Sequence, residues 1–564
     1  MNRYHARRSA GVAAATGFIS QPEPRTIGSF SRGQQLLAGN YQFAGCLVTD
    51  SQVGLWDLEP PSDAFEKELH GFQWLDDLAA VGDVASRNIA QEWLFEWIAR
   101  YGHGKGIGWT PDLTGRRLIR WINHALFLLQ GQESEASEAY FQSLAQQTIF
   151  LSKRWKVASA GLPKFEALTG LIYSGLALSG MDGNVKPAVT ALAKECRDQI
   201  SEEGGIPTRN PEELLEVFTL LIWASTALSQ AGWVAQNDHL AAIERIAPTL
   251  RALRHSDGGL ARFHGGGHGA EGRLDTALAD SGVRATRNDD LAMGYARQKA
   301  GRTSVVIDAD RPPQGANSVR GHASTLAFEL TSGRRPIIVN CGSGASFGAE
   351  WERASRATPS HSVLAIEGFS SSRLGTSPDG SDEILQHTPK SVDVNQVRDL
   401  AGASFQAGHD GYEASHGLVH LRRLDLSSDG RTLAGEDTLI AINDADKRQF
   451  DKAMNDERLQ GIPYAVRFHL HPDVQAELDM GGSAVSLLMK SGEIWVFRHE
   501  SQAELSLVPS VYLEKNRLKP RVTKQIVLST RALEYASRVT WSLAKAQDTP
   551  DSLRDLKRDE IDIL

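Results

Sequence analysis

Cysteine is scarce in this sequence. The three present among 564 residues, Cys46, Cys196 and Cys341, stand far apart and in no metal-type spacing. That excludes a disulfide framework and a zinc-finger module, and the odd count fits a reducing compartment. Long apolar runs are missing too, since no stretch approaches the roughly 20 residues that cross a bilayer. There is no excess of positive charge. A formal net charge of −9 gives the whole molecule no attraction for nucleic acid or for an acidic polymer, so an anionic ligand requires a local pocket of Arg and Lys. The opening stretch MNRYHARRSAGVAAATGFIS sets basic residues ahead of small apolar ones. Its apolar part is short and rich in Ala and Gly, a poor core for an export signal. Low-complexity blocks and strict internal repeats are absent as well.

What is present is length enough for two to four domains and two contrasting periodicities. From about residue 63 to 255 the apolar residues recur at helical spacing, as in VASRNIAQEWLFEWIARYG, LTGRRLIRWINHALFLLQG and NPEELLEVFTLLIWASTALSQAG. Asn210 before Pro211 supplies a capping oxygen and then a residue without the amide proton that a first turn cannot use. Short Gly, Pro and Asp links between many helices predict stacked helix hairpins. Beyond the Gly-rich stretch 255–272 and by about residue 295 the period becomes two. TSVVIDAD, STLAFEL, PIIVNCG, SVLAIEG, GLVHLRRLDLS, YAVRFHLHP, SAVSLLMKSGEIWVFRHE and KQIVLST read as strands, with SSDGR and KSGE as hairpin turns. Many strands with few helices predict packed antiparallel sheets. In RGHASTLAFEL the alternation places His322 and Ser324 on one face with Leu326, Phe328 and Leu330. The fold class expected is therefore α+β in two domains: an extension over 1–62, a helical domain over 63–280, a sandwich over 281–540 and a charged tail over 541–564.

This layout, together with particular stretches, resembles the heparinase II/III-like polysaccharide lyases, which join an (α/α) toroid to a C-terminal sheet domain. ELHGFQWLDDLAAVG and WTPDLTGRRLIRWINHALFLL are similar to the early toroid helices. GHASTLAFEL, IIVNCGSG and SRATPSHSVLAIEG are similar to the start of the sheet domain, in order and spacing. GEDTLI, RFHLHP and GEIWVFRHE follow, so that the likeness spans about residues 65 to 530. It implies β-elimination on a uronic-acid-containing acidic polysaccharide or oligosaccharide. That chemistry needs the carboxylate neutralised, the adjacent carbon deprotonated and the leaving oxygen protonated. The alternative is a catalytically degenerate relative that binds acidic glycans in the cell envelope without turnover. The family works in the envelope or periplasm, whereas the poor export signal points to the cytoplasm.

The resemblance also implies a zinc site. His322 and His361 fall on two ligand positions and Asn340 on the third, where the family has an acid. An amide is neutral and a weaker ligand. The other reading is a pair of histidines hydrogen-bonded to each other. At the acid and base positions the sequence departs from the family: Arg320 stands two residues before His322 where relatives carry His, Pro163 and Lys164 occupy an Asn-His segment, and Glu213 and Leu214 occupy a Tyr-His segment. Arg320 cannot serve as a base but can bind a carboxylate.

Other polar residues supply candidates. Arg116, Arg120, Asn123 and His124 fall on one helical stripe, which offers two cations, an amide and an imidazole to an acidic sugar; otherwise it is a salt-bridged face. His124 and Asn123 are the catalytic candidates on it, with Glu213 and Glu166 as carboxyls able to replace a missing base. Two opposed carboxyls would also suit a glycosidase. In RHSDGGLARFHGGGHGAEG, Arg254, His255 and His264 are candidate substrate contacts beside Arg116, Arg120 and Arg320. His264 and His268 are separated by three glycines, which makes a metal-binding helix improbable. His469 and His471 share a strand face with no third ligand and read as ordinary sheet histidines.

Overall fold

The computed structural model describes all residues except 14, 21–22, 287–290, 516 and 547–564. Helices dominate as far as Asp280 and antiparallel strands from Tyr295 onward, giving the two-domain α+β architecture expected. Three helices line the middle of the ring: Pro111–Asn123, Leu162–Ala177 and Pro211–Gln230. Every residue from Phe165 to Ala177 is buried, as a helix enclosed on all sides requires. Small residues let these helices approach. A Cβ on Gly115 would lie 2.3 Å from the Glu166 carbonyl oxygen, and one on Gly170 2.5 Å from the Gly115 Cα. Asn210 caps as expected, its Oδ1 accepting from the amides of Glu212 and Glu213 at 3.0 and 3.2 Å.

Two helical stretches break where periodicity runs straight through. The segment 63–82 is interrupted at Phe72, which adopts φ +59 between Asp63–Gly71 and Trp74–Val81. The segment 113–130 is interrupted at His124, outside helical geometry between Pro111–Asn123 and Ala125–Leu129. The N-terminal extension is largely ordered. Helix Asn2–Ser9 lies on Ser134–Arg154, where Gln146 donates to the Ala6 carbonyl, and the hairpin Asn40–Phe43/Cys46–Thr49 follows helix Phe30–Leu37.

The C-terminal half contains two eight-stranded antiparallel sheets. One includes Gly402–Tyr412, Leu418–Ser427, Thr432–Ile440 and Ala536–Lys545. The other includes Tyr295–Ala300, Thr303–Asp308, Phe328–Ser332, Arg335–Val339 and Ile462–Leu470. Aromatic rings join them: Trp541 of the first sheet stacks on Phe328 of the second at 5.8 Å and meets Phe468 edge-on at 4.7 Å. Among these rings lies a buried polar knot. Asp437 accepts from His420, Arg422 and Trp541, and Arg422 donates onward to the carbonyls of Leu326 and Ser362.

Two expectations change here. The strand expected over 324–330 begins only at Phe328, because Leu326 has φ +66 and 320–327 is loop. His322 therefore shares no strand face with Leu330. The last strand runs to Lys545, so the sheet domain extends past 540, and the rest of the proposed tail, 547–564, lies outside the described residues.

Candidate functional site

The ring meets the sheets through buried charge. Arg209, just before the Asn210 cap and at φ +50, sends its side chain into the sheet domain. Its guanidinium donates to Asp308 Oδ1 at 2.7 Å and to the carbonyls of Met293, Gly294 and Arg311, and it lies 4.7 Å from the Tyr295 ring centre. Ser324 donates to the other Asp308 oxygen at 2.7 Å. Burial alone would raise the Asp308 pKa, but Arg209 and His264 hold it well below the usual carboxylate range. The glycine-rich link supplies a second lock: Glu329 of the sheet accepts from His255 at 3.0 Å and from the Arg262 amide at 3.1 Å.

The histidines form a directed chain. The His361 Nδ1–H donates to the Ala357 carbonyl at 3.0 Å, which leaves Nε2 as an acceptor. The His322 Nδ1–H donates to that nitrogen at 3.0 Å, and the His322 amide donates to His264 Nδ1 at 3.1 Å. Burial holds the His361 pKa down to about 4 and that of His322 well below its ordinary value, so both rings are neutral at pH 7. Arg422 anchors the two loops that carry them, through Leu326 and Ser362. The third zinc candidate does not complete a site. Asn340 Oδ1 accepts from the Ser362 amide at 3.0 Å, and its buried Nδ2 has no partner. Among the described residues no three His, Cys, Asp or Glu side chains gather to hold a metal. Two imidazoles joined by a hydrogen bond and one neutral amide do not fit zinc, which takes thiolate, imidazole or carboxylate ligands.

The remaining sequence candidates do not converge on His322. Arg116 pairs with Glu166, and Arg120 with Asp76 at 3.3 Å; both arginines belong to the interior of the ring. His124 Nε2 lies 2.8 Å from Asp76 and 3.2 Å from Thr26. Asn123 is buried with neither amide atom hydrogen-bonded. The stripe is thus an internal ion-pair ladder, and the cavity that Arg120 lines is walled by residues 25–280 alone. Glu166 is locked to Arg116, with burial raising its pKa to about 6. It offers no free carboxyl to oppose Glu213, which removes the glycosidase arrangement. Arg254 pairs at the surface with Asp275, His268 with Asp257, and His255 and His264 are buried in the locks above.

Of the candidates, Glu213 and Arg320 face the junction. Burial raises the Glu213 pKa, while the charges of Arg320 and Lys515 oppose the shift. Gly265 sits against Arg320: a Cβ there would lie 3.1 Å from that of Arg320. Next to Glu213, Glu212 pairs with Lys515 and accepts from the Gly267 amide at 2.8 Å. Lys164, one turn into its helix, pairs with Glu195 at 3.5 Å. The mouth is therefore built from two helix starts, the glycine loop, Arg320 and Lys515. Sequence reasoning missed Arg209, Asp308 and Lys515. Arg209 was legible only as the residue before a cap, and nothing local marks Asp308 as its partner or Lys515 as the partner of Glu212.

With this geometry the comparisons with known proteins agree in part. Residues 284–542 match the family model described as Heparinase II/III-like, C-terminal. The crystal structure of heparinase III superposes with a TM-score of 0.70 at 13% identity, covering 98% of this chain and 90% of that one. A mutant of the heparan sulfate lyase HepC from Pedobacter heparinus gives 0.58 at 14% identity, covering 97% and 88%. Both likenesses establish the polysaccharide-lyase fold. A different relative is nearer in sequence: the FtsZ-localized protein C of Caulobacter vibrioides is 29% identical over 553 residues, covering 94% of this chain and 91% of that protein.

Proposed function

We propose that this protein is a lyase-fold protein that binds an acidic glycan at the ring–sheet junction without cleaving it, and that it localises with FtsZ. The observation that carries the first part is the state of the chemistry-bearing residues at the junction. His264, His322 and His361 are committed to hydrogen bonds within the protein, and the group at the mouth where relatives carry His is the permanently charged Arg320. A guanidinium and an ammonium suit a carboxylate. Neither withdraws a proton from carbon at neutral pH, so elimination lacks its base. The second part rests on end-to-end similarity to a relative whose name records that localisation. That similarity exceeds the likeness to any lyase described above.

A retained lyase activity is the second reading. It is favoured by Glu213, whose pKa is raised by burial and which is the one carboxyl at the mouth without an ion-pair partner among the described residues. One experiment separates the two readings. Heparan sulfate, chondroitin sulfate, alginate and pectate are incubated with the protein and followed by the ultraviolet absorbance of unsaturated uronate. In parallel, the same polymers are immobilised and retention is measured. The expected result is no absorbance change, with saturable retention that Arg320→Gln and Lys515→Gln weaken. Absorbance growth abolished by Glu213→Gln would establish the lyase. A fluorescent fusion that stays diffuse in dividing cells would refute the localisation.

A further inference from the structure

The ring also holds a polar cavity lined only by residues between Arg25 and Asp280. It occupies about 420 Å³ between atoms, its open mouth included. Arg120 and Asp76 line it together with Ile222 and Trp223, about three turns along the helix that starts at Pro211. Arg273 of helix Arg273–Asp280 closes one side. The N-terminal extension crosses the top. There Arg25 pairs with Asp280 at 3.1 Å, Thr26 reaches His124, and the Ser29 amide donates to Asp77 at 2.7 Å. Gly28 lies so close that a Cβ would sit 1.9 Å from the Asp76 carbonyl oxygen. Any side chain there would lift this strap.

The lining has more donors than acceptors. Arg120 is 5% exposed. Its Nε donates to Asp76 and its Nη1 to the Arg116 carbonyl, and its Nη2 meets no acceptor among the described residues. Arg273 uses Nη2 on Glu216, and its Nε and Nη1 meet no acceptor among the described residues. Both Asp76 oxygens are engaged, Oδ1 with His124 and Oδ2 with Arg120. A guanidinium carries five N–H groups and accepts nothing. These N–H groups open onto the cavity, where an acceptor-rich occupant can take the place of water. The apolar faces of Ile222 and Trp223 beside these donors suit a carbon body rather than a bare inorganic ion.

We propose that this cavity is a binding site for a small hydroxycarboxylate, its carboxylate held by Arg120 and Arg273 beneath the strap formed by residues 25–28. The site is separate from the junction and shares none of its residues. The test titrates the full-length protein by calorimetry with L-lactate, D-glucuronate, glucose and inorganic phosphate. The expected result is saturable binding of at least one of the two carboxylates and none of glucose or phosphate. Arg120→Gln should weaken that binding at least about tenfold. Because Arg120 also holds Asp76, Thr276→Trp is the second variant. Thr276 is exposed at the mouth, so filling it with an indole should block binding while leaving the melting temperature and glycan retention at the junction unchanged. No heat with either carboxylate, binding of phosphate in their place, or undiminished binding by a well-folded Thr276→Trp would overturn the proposal.

Discussion

At the scale of single residues, this protein keeps many histidines neutral by burying them, which ties its stability to pH. His239 lies in helix Asn237–Ala252. It donates from Nε2 to the Leu221 carbonyl at 2.8 Å, and its buried Nδ1 has no partner. Burial lowers its pKa to about 4, and that of His70 to about 3. The unfolded chain takes up these protons near pH 6.5, whereas the folded chain resists them. The stabilisation is therefore complete above pH 6.5 and is lost as pH falls toward the folded values. Each residue should cost about 2 kcal/mol by pH 5. Urea midpoints at pH 7.5, 6 and 5 check this: the midpoint should fall steadily, and His239→Gln should fall less steeply. Asn340 makes a second residue-scale case. Asn340→Asp removes an orphaned donor but buries a carboxylate, so it should destabilise the protein in chelator and recover when zinc is added. The unaltered protein should retain no stoichiometric zinc after dialysis; one zinc per chain by elemental analysis would show the His322–His361 hydrogen bond to be the wrong reading. The sequence grouped His322, His361 and Asn340, and the structure sets the two histidines 3.0 Å apart with Asn340 bonded to the residue after His361. The sequence did not show that the amide oxygen would be taken by the Ser362 N–H, because that partner is set by how two loops meet.

At the scale of elements, the closeness of the ring's inner helices explains where its charges went. Gly115 and Gly170 let helices Pro111–Asn123 and Leu162–Ala177 touch backbone to backbone, which drives Arg116 and Glu166 into an enclosed pair. Periodicity placed Arg116, Arg120 and Asn123 on one stripe, and they do share a side of their helix. It carries no information on which side faces the cleft, since an ion-pair ladder inside a ring and a ligand-binding stripe have the same spacing. The helix breaks at Phe72 and His124 and the late strand start at Phe328 were equally hidden, because Phe72 and Leu326 take left-handed geometry without being Gly or Asn. Gly170→Ala should cost more than the helix-favouring effect of Ala returns. A Cβ 2.5 Å from backbone cannot be relieved by rotating a side chain, so a loss of about 1–3 kcal/mol is expected. Thermal unfolding checks it, and an unchanged or raised melting temperature would mean that these helices are free to slide apart.

At the scale of the whole molecule, ring and sheets are coupled by charges that neither half can leave exposed to the other unpaired. Arg209 and Asp308 satisfy each other across the boundary, and Glu329 receives His255 and the Arg262 amide from the link. Separating the halves would strand the Arg209 guanidinium on the ring side and the carboxylates of Asp308 and Glu329 on the sheet side. The protein should therefore unfold in guanidinium chloride as one cooperative unit despite its size, with helical circular dichroism and tryptophan fluorescence changing together. Arg209→Met keeps much of the volume but leaves Asp308 with only Ser324 and His264. Breaking one side of a buried pair typically costs about 3–5 kcal/mol. The loss falls on the boundary rather than inside either core, so the two signals should separate into successive transitions. Because Tyr295 donates to the Arg209 carbonyl and not to its side chain, the backbone turn at 209 should persist in the variant. The effect then belongs to the charge pair. If Arg209→Met shifts one undivided transition by less than about 1 kcal/mol, the halves are held by apolar contact and the lyase-fold cleft has no electrostatic hinge pin.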